Sequence, residues 1–198
     1  GMTGKQRSTS NEIVDDALGV INSSYGMGSA VKGAMVLTGY MSGVISADNN
    51  VLVDEPLQFQ GSNPKKSVFN PTIGNQVAIN DIEALARSSN VYMIKLAMLM
   101  GGQSTYESGG TLNISPDLID ELRSYFAQFG LGVKTGIDLP NEGSGLTGFS
   151  QAAVNVVDQS FGQYDLYTTL QLSQYINTIA NGGTRYAPQL VSEIRSTD

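Results

Sequence analysis

The order of apolar and polar positions divides the chain into short helical runs separated by glycine-rich turns. Residues 1–16 are polar and read as an extended arm or loop, followed by a short apolar run at 17–21. Residues 29–40 are apolar on nearly every face, with Ala30, Val31, Ala34, Met35, Val36 and Leu37 among them, the pattern of a buried helix. Residues 46–78 carry Asn, Asp, Pro and Gly throughout and are expected to be mostly loop, with short extended pieces such as 57–60. Two helices are expected next, 82–87 and a longer Met-rich one at 91–100, divided by Ser88-Ser89-Asn90. After a loop at 101–113, Ser115-Pro116-Asp117 opens another helix, with Ser as cap, Pro in the first turn and an acid near the positive end of the dipole. Leu118, Ile119, Leu122, Tyr125, Phe126 and Phe129 form its apolar face, and Gly130 ends it. Residues 130–150 read as a Gly- and Pro-rich loop. A last helix at 166–180 stops at Asn181-Gly182-Gly183, and 188–194 reads as a strand. No tandem repeat or low-complexity segment is visible.

Composition narrows the chemistry more than the architecture. With 198 residues, 40% of them hydrophobic, the chain can bury one sizeable core, or one domain plus a small lobe. A formal net charge of -7 argues against nucleic acid, since no basic patch is available to meet phosphates. The absence of histidine excludes Ser-His-Asp and Cys-His catalysis. The absence of cysteine excludes disulfides, thiol catalysis and thiolate metal sites, without fixing the compartment. No run of about 18 apolar residues is available to span a membrane, and no signal peptide is visible.

Within these bounds the sharpest chemical candidate is Ser29 with Lys32. A serine hydroxyl is a poor nucleophile until a base takes its proton. Ser29 and Lys32 are three apart, so on a helix they share a face about one turn from each other. Among Val31, Ala34, Met35 and Val36 the lysine is expected to be desolvated, which disfavours the ammonium and suits it to act as a base. Gly28 allows a tight approach to the helix start, where the Ser29 N–H can stabilise an oxyanion. The plainer alternative makes Ser29 a helix cap and Lys32 a surface residue; the apolar surroundings favour the buried base. Ser88 and Asn90 form a second constellation, in a turn between helices that can present polar groups into a cleft. Ser88 could relay a proton, and the Asn90 amide could meet both a substrate carbonyl and Lys32. Their alternative role is capping.

S-x-x-K followed by S-x-N resembles the penicillin-recognising serine enzymes. The wording around the motifs is similar to the transpeptidase domain of class B penicillin-binding proteins of Gram-positive type. The matching residues include Tyr25-Gly26-Met27-Gly28-Ser29-Ala30-Val31-Lys32, Glu83-Ala84-Leu85-Ala86-Arg87-Ser88-Ser89-Asn90, Thr135-Gly136-Ile137-Asp138-Leu139-Pro140, and Ser160-Phe161-Gly162-Gln163. They run in family order across nearly the whole chain. Met27 and Gly33 stand where the family often has proline.

The resemblance implies an α+β fold: the helix-rich part of the penicillin-binding transpeptidase and serine β-lactamase-like architecture, with an incomplete antiparallel sheet, as one incomplete domain over 1–198. The activity it implies is a D,D-transpeptidase that cross-links peptidoglycan stem peptides through an acyl-serine. Ser29 would be the nucleophile, Lys32 its base, Ser88 a relay toward the leaving group, and Asn90 the residue that orients the substrate amide. No metal or organic cofactor is implied. β-Lactams would act as substrate mimics. The parent protein is expected to be membrane-anchored, on the extracytoplasmic face, with the cell-wall synthesis machinery as partner.

The family also needs a K-T/S-G triplet on a strand beside the site. Lys134-Thr135-Gly136 fits the letters but lies in a Gly/Pro loop with no alternating apolar pattern, inside the Thr-Gly-Ile-Asp-Leu-Pro match. It is therefore expected to be a structural loop. The chain is expected to stop short of the functional triplet and, by itself, to acylate slowly or not at all. The strand at 188–194 is then expected to expose an edge through which the chain could self-associate. Two rival readings remain. A serine β-lactamase would need a positioned base for deacylation, and Glu142 sits in Asn-Glu-Gly-Ser rather than in the class A pattern. A non-catalytic wall-binding or scaffolding module would keep the fold without forming an adduct.

Overall fold

The computed structural model describes residues 4–69 and 75–196. In chain order the elements are β1 (Lys5–Arg7), β2 (Ile13–Asp15), α1 (Gly19–Asn22), β3 (Ser24–Tyr25), a 3-10 turn (Gly28–Val31), α2 (Lys32–Met41), β4 (Leu52–Asp54) and β5 (Val77–Ile79). There follow α3 (Asp81–Ala86), α4 (Asn90–Met100), α5 (Leu118–Gln128), α6 (Ala153–Val156), a second 3-10 turn (Val157–Phe161), β6 (Tyr167–Thr168) and α7 (Thr169–Ala180). Helices predominate, and the strands pair as three short antiparallel ladders, β1 with β2, β3 with β6 and β4 with β5. This is the α+β class expected from the sequence. The chain divides into two compact units: residues 27–125 with 148–164, and residues 1–26 with 126–147 and 165–198.

The first of these units is built around α4. Its sequence is apolar on all sides, and Val91, Tyr92, Met93, Ile94, Leu96, Ala97 and Met98 are buried. Its one charged residue, Lys95, pairs with Glu55 at 2.5 Å. α2 packs along α4. Gly39 permits that approach, because a Cβ there would come within 3.2 Å of both Ile45 and Leu96 side chains. The 3-10 turn at Val157–Phe161 packs on the other elements of this core, against both α4 and α2. Lys65 holds this turn from outside, with its ammonium 2.5 and 2.8 Å from the two oxygens of Asp158.

Helix boundaries follow from capping. α3 begins with a capping box: the Asn80 carboxamide oxygen accepts from Glu83 N–H at 2.9 Å, and the Glu83 carboxylate accepts from Asn80 N–H at 3.1 Å. α4 is capped by Ser89, whose hydroxyl oxygen accepts from Tyr92 N–H at 3.0 Å. The loop expected at 46–78 contains β4 and ends at β5; residues 70–74 of that expectation lie outside the described residues.

In the other unit α7 is the central element, with α1 and the β3–β6 ladder against it. Tyr167, Leu170 and Tyr175 are buried, and Phe129 meets Tyr175 edge to face. A second capping box, Thr168 with Gln171, starts α7. The helix therefore begins at Thr169, not Leu166 as the apolar run suggested, because Tyr167 and Thr168 pair with β3 instead.

Two sequence expectations are corrected in this unit. Residues 4–16, expected as an extended arm or loop, form a hairpin of two three-residue strands. Residues 188–194 form no strand. Leu190 and Val191 N–H groups donate to the two oxygens of Asp138 at 2.8 Å each, so they enter no ladder. The edge that self-association would have used is therefore not formed.

Candidate active site

Four of the residues singled out from the sequence converge in one place. Ser29 is the second residue of the 3-10 turn that leads into α2, and Lys32 is the first residue of α2 itself. Ser88 and Asn90 flank the cap of α4. The Lys32 Nζ donates to three oxygens: Ser88 O at 2.7 Å, Ser88 Oγ at 2.9 Å and Asn90 Oδ1 at 2.6 Å. An ammonium has three donors, and these bonds use all of them. Ser88 Oγ then donates to Ser29 Oγ at 3.0 Å. The connection from serine to lysine thus runs through a second hydroxyl, which the spacing of Ser29 and Lys32 did not reveal.

Burial explains the electrostatics. Lys32 is 2% exposed, and desolvation lowers its pKa from 10.5 to about 8. At pH 7 about a tenth of such a lysine is neutral, against roughly three in ten thousand at the ordinary value. Burial thus raises the fraction able to accept a proton, while the ammonium still dominates at pH 7. Ser29 itself is exposed. The hydroxyl of Ser29 is thus open to solvent while the Lys32 amine behind it is buried.

The seat of Ser29 is made of main chain. Gly28, with φ +53°, donates its N–H to Gly162 O at 3.1 Å. Gly162 has φ +79°, and a Cβ on it would lie 2.2 Å from Gly28 O. Only glycine fits there. The segment Ser160-Phe161-Gly162-Gln163 therefore backs the turn that carries Ser29. Ser160 is buried, and its hydroxyl donates to Val157 O at 2.6 Å within its own turn.

The turn that carries Ser88 and Asn90 is strained and held. Ser88 has φ +56°, an unfavourable backbone region for a residue with a Cβ. Beside it Ser89 is fully buried, and its hydroxyl donates to the Asp54 carboxylate while capping α4. Neither Asp54 nor the role of Ser89 was found from the sequence. Asp54 reaches the turn across 35 positions, and no local pattern marks so distant a partner.

Lys134-Thr135-Gly136 lies in a loop, as the sequence suggested. The Glu142 carboxylate accepts from the N–H and hydroxyl of Thr135 and, at 3.2 Å, from Gly136 N–H. The Glu142 oxygens are thus engaged in holding this loop. Among the described residues no cluster of His, Cys, Asp or Glu could hold a metal ion. No helix among them is long and apolar enough to cross a membrane.

The model of the penicillin binding protein transpeptidase domain matches residues 1–198. Penicillin-binding protein 2A of Bacillus subtilis is 48% identical over an alignment that covers 100% of this chain and 27% of that protein. Penicillin-binding protein 2B of Streptococcus pneumoniae serotype 4 is 40% identical, over 92% of this chain and 27% of its own length. The solved structure of penicillin-binding protein 2B from S. pneumoniae strain 5204 superposes with a TM-score of 0.85 and 38% identity, covering 93% of this chain and 30% of that one. The chain thus spans about a quarter of the length of the relatives it matches.

Proposed function

The chain belongs to the penicillin-binding protein transpeptidase domain family, and from that premise we propose that it carries the acyl-transfer centre of a D,D-transpeptidase that cross-links peptidoglycan stem peptides. The observation that carries the reading is the unbroken hydrogen-bonded series Ser29, Ser88, Lys32, Asn90.

In this reading Lys32 enters the reaction neutral. With the amine neutral, the two hydroxyls turn so that Ser29 Oγ donates to Ser88 Oγ and Ser88 Oγ to Lys32 Nζ; as Ser29 Oγ attacks the carbonyl before the terminal D-Ala, its proton passes to Ser88 Oγ, and the Ser88 proton passes to Lys32 Nζ. The developing oxyanion lies near the Ser29 N–H, at the start of the 3-10 turn, where backbone donors lack intrahelical acceptors. Collapse breaks the carbon–nitrogen bond. The relay returns one proton to the departing D-Ala amine, and an acyl-serine remains. An amine from a neighbouring stem peptide then attacks that ester, and its proton goes back to Ser29 along the same path. Lys32 holds Asn90 Oδ1, so the Asn90 amide N–H groups face the substrate amide. A β-lactam would stop at the acyl-serine.

The parent protein would act on the extracytoplasmic face of the membrane, anchored there and working with the cell-wall synthesis machinery. The test is covalent labelling of the intact polypeptide that carries this chain. Incubation with fluorescent penicillin, followed by a denaturing gel, should give a stable band that Ser29→Ala abolishes. Trypsin should place the adduct on the peptide from Ser8 to Lys32, which contains no internal Lys or Arg. An adduct on any other peptide refutes the assignment of Ser29.

A further inference from the structure

The Ser88 backbone is held in a region that a side chain disfavours, and such a conformation persists only where the surroundings over-determine it. Lys32 grips it from the side of the candidate site, through the Ser88 carbonyl and hydroxyl. The grip from behind comes from Asp54, at the end of β4. Asp54 is fully buried. One of its oxygens accepts from Ser89 Oγ and the other accepts from Ser67 Oγ at 2.6 Å. Ser89 is also fully buried and, through Tyr92 N–H, fixes the first turn of α4.

We propose that Asp54 is a positioning residue for acylation: acting through Ser89, its carboxylate fixes the strained turn that aims Ser88 and Asn90 at Lys32. The proposal rests on the assignment of Ser29 as nucleophile and extends it to a residue that meets neither substrate nor reacting atoms. The physical reason is geometric. Ser89 lies between Ser88 and Asn90, so anchoring its side chain fixes the directions of both neighbours. A charge-assisted bond between buried groups is stronger than one between neutral partners, and it tolerates little displacement. With the anchor weakened, Ser88 can relax to a negative φ, and its carbonyl and hydroxyl leave the lysine. The relay between Ser29 and Lys32 is then broken, while the substrate-facing surface away from this turn remains.

The test uses the intact polypeptide that carries this chain and measures penicillin acylation over a range of concentrations, so that the limiting rate and the half-saturating concentration separate. Asp54→Asn and Ser89→Ala should each lower the limiting rate by about tenfold or more, with the half-saturating concentration within about twofold of wild type. The double variant should be no slower than the slower single, because both act through one bond. Leu112→Ala, a buried change in the same unit, serves as the control for general destabilisation. Below its melting temperature it should label at the wild-type limiting rate. If Asp54→Asn does not fold, Ser89→Ala decides the matter. Wild-type limiting rates in the folded variants overturn the proposal, as does an equal loss in Leu112→Ala. A wild-type protein that forms no adduct at Ser29 overturns the nucleophile assignment, and this inference with it.

Discussion

At the scale of single residues, Lys32 combines a proposed function with a cost. Burial favours the neutral amine that the proposed chemistry needs, and it disfavours the ammonium that dominates at neutral pH. The acylation rate should therefore climb with pH and level off above about 8, the folded-state value. A flat profile from pH 6 to 9 would rule out Lys32 as the base. The stability consequence has a definite sign. The folded value lies below the unfolded 10.5, so between about 8 and 10.5 the unfolded chain binds more protons, and stability rises with pH through that window. Between pH 7.5 and pH 10 the gain is about 2 kcal/mol. It should vanish in Lys32→Met, and comparing the two proteins by chemical denaturation at pH 7.5 and pH 10 measures it. Equal responses in both would contradict the burial of the charge.

At the scale of elements, the groups proposed to react sit at helix starts. Ser29 and Lys32 lie where a 3-10 turn becomes α2, and Ser88 and Asn90 lie around the cap of α4. The residues that set these helix starts thus also hold the proposed site together. Gly162→Ala should drive a methyl into Gly28 O, against a backbone already at positive φ. Penicillin labelling should then fall by about tenfold or more, since the cost exceeds about 1.4 kcal/mol at the nucleophile's seat. In the other unit, Thr168→Ala removes the capping box of α7 and should cost about 1 kcal/mol in a urea titration. A loss below the error of that titration would show that packing alone sets the start of α7.

At the scale of the whole molecule, what could be read from the sequence was what is local. The continuous apolar runs of α2 and α4 announced buried helices, and the spacings within Ser29–Lys32 and Ser88–Asn90 announced the residues that meet. The loop character of Lys134-Thr135-Gly136 was legible too, from its glycines and prolines. What was missed depends on distant partners. The β1–β2 hairpin has three-residue strands that are exposed throughout, so no alternation marked it. Asp54 meets Ser89 across a long stretch of chain, and the apolar run at 188–194 became no strand because the Asp138 carboxylate took two of its donors. The passage through Ser88 needed coordinates, because helical spacing brings Ser29 and Lys32 together without saying which atom lies between.

The contact between Gly28 and Gly162 has a practical consequence for anyone who would redesign this site. It is made of main-chain atoms alone. A side chain can be exchanged for a better one, whereas here there is none to exchange. Mutation at Gly162 can only add atoms where there is no room for them, so the position can be spoiled but not improved. Tuning the speed of the site must come from the polar residues around Lys32, with the seat left as it is.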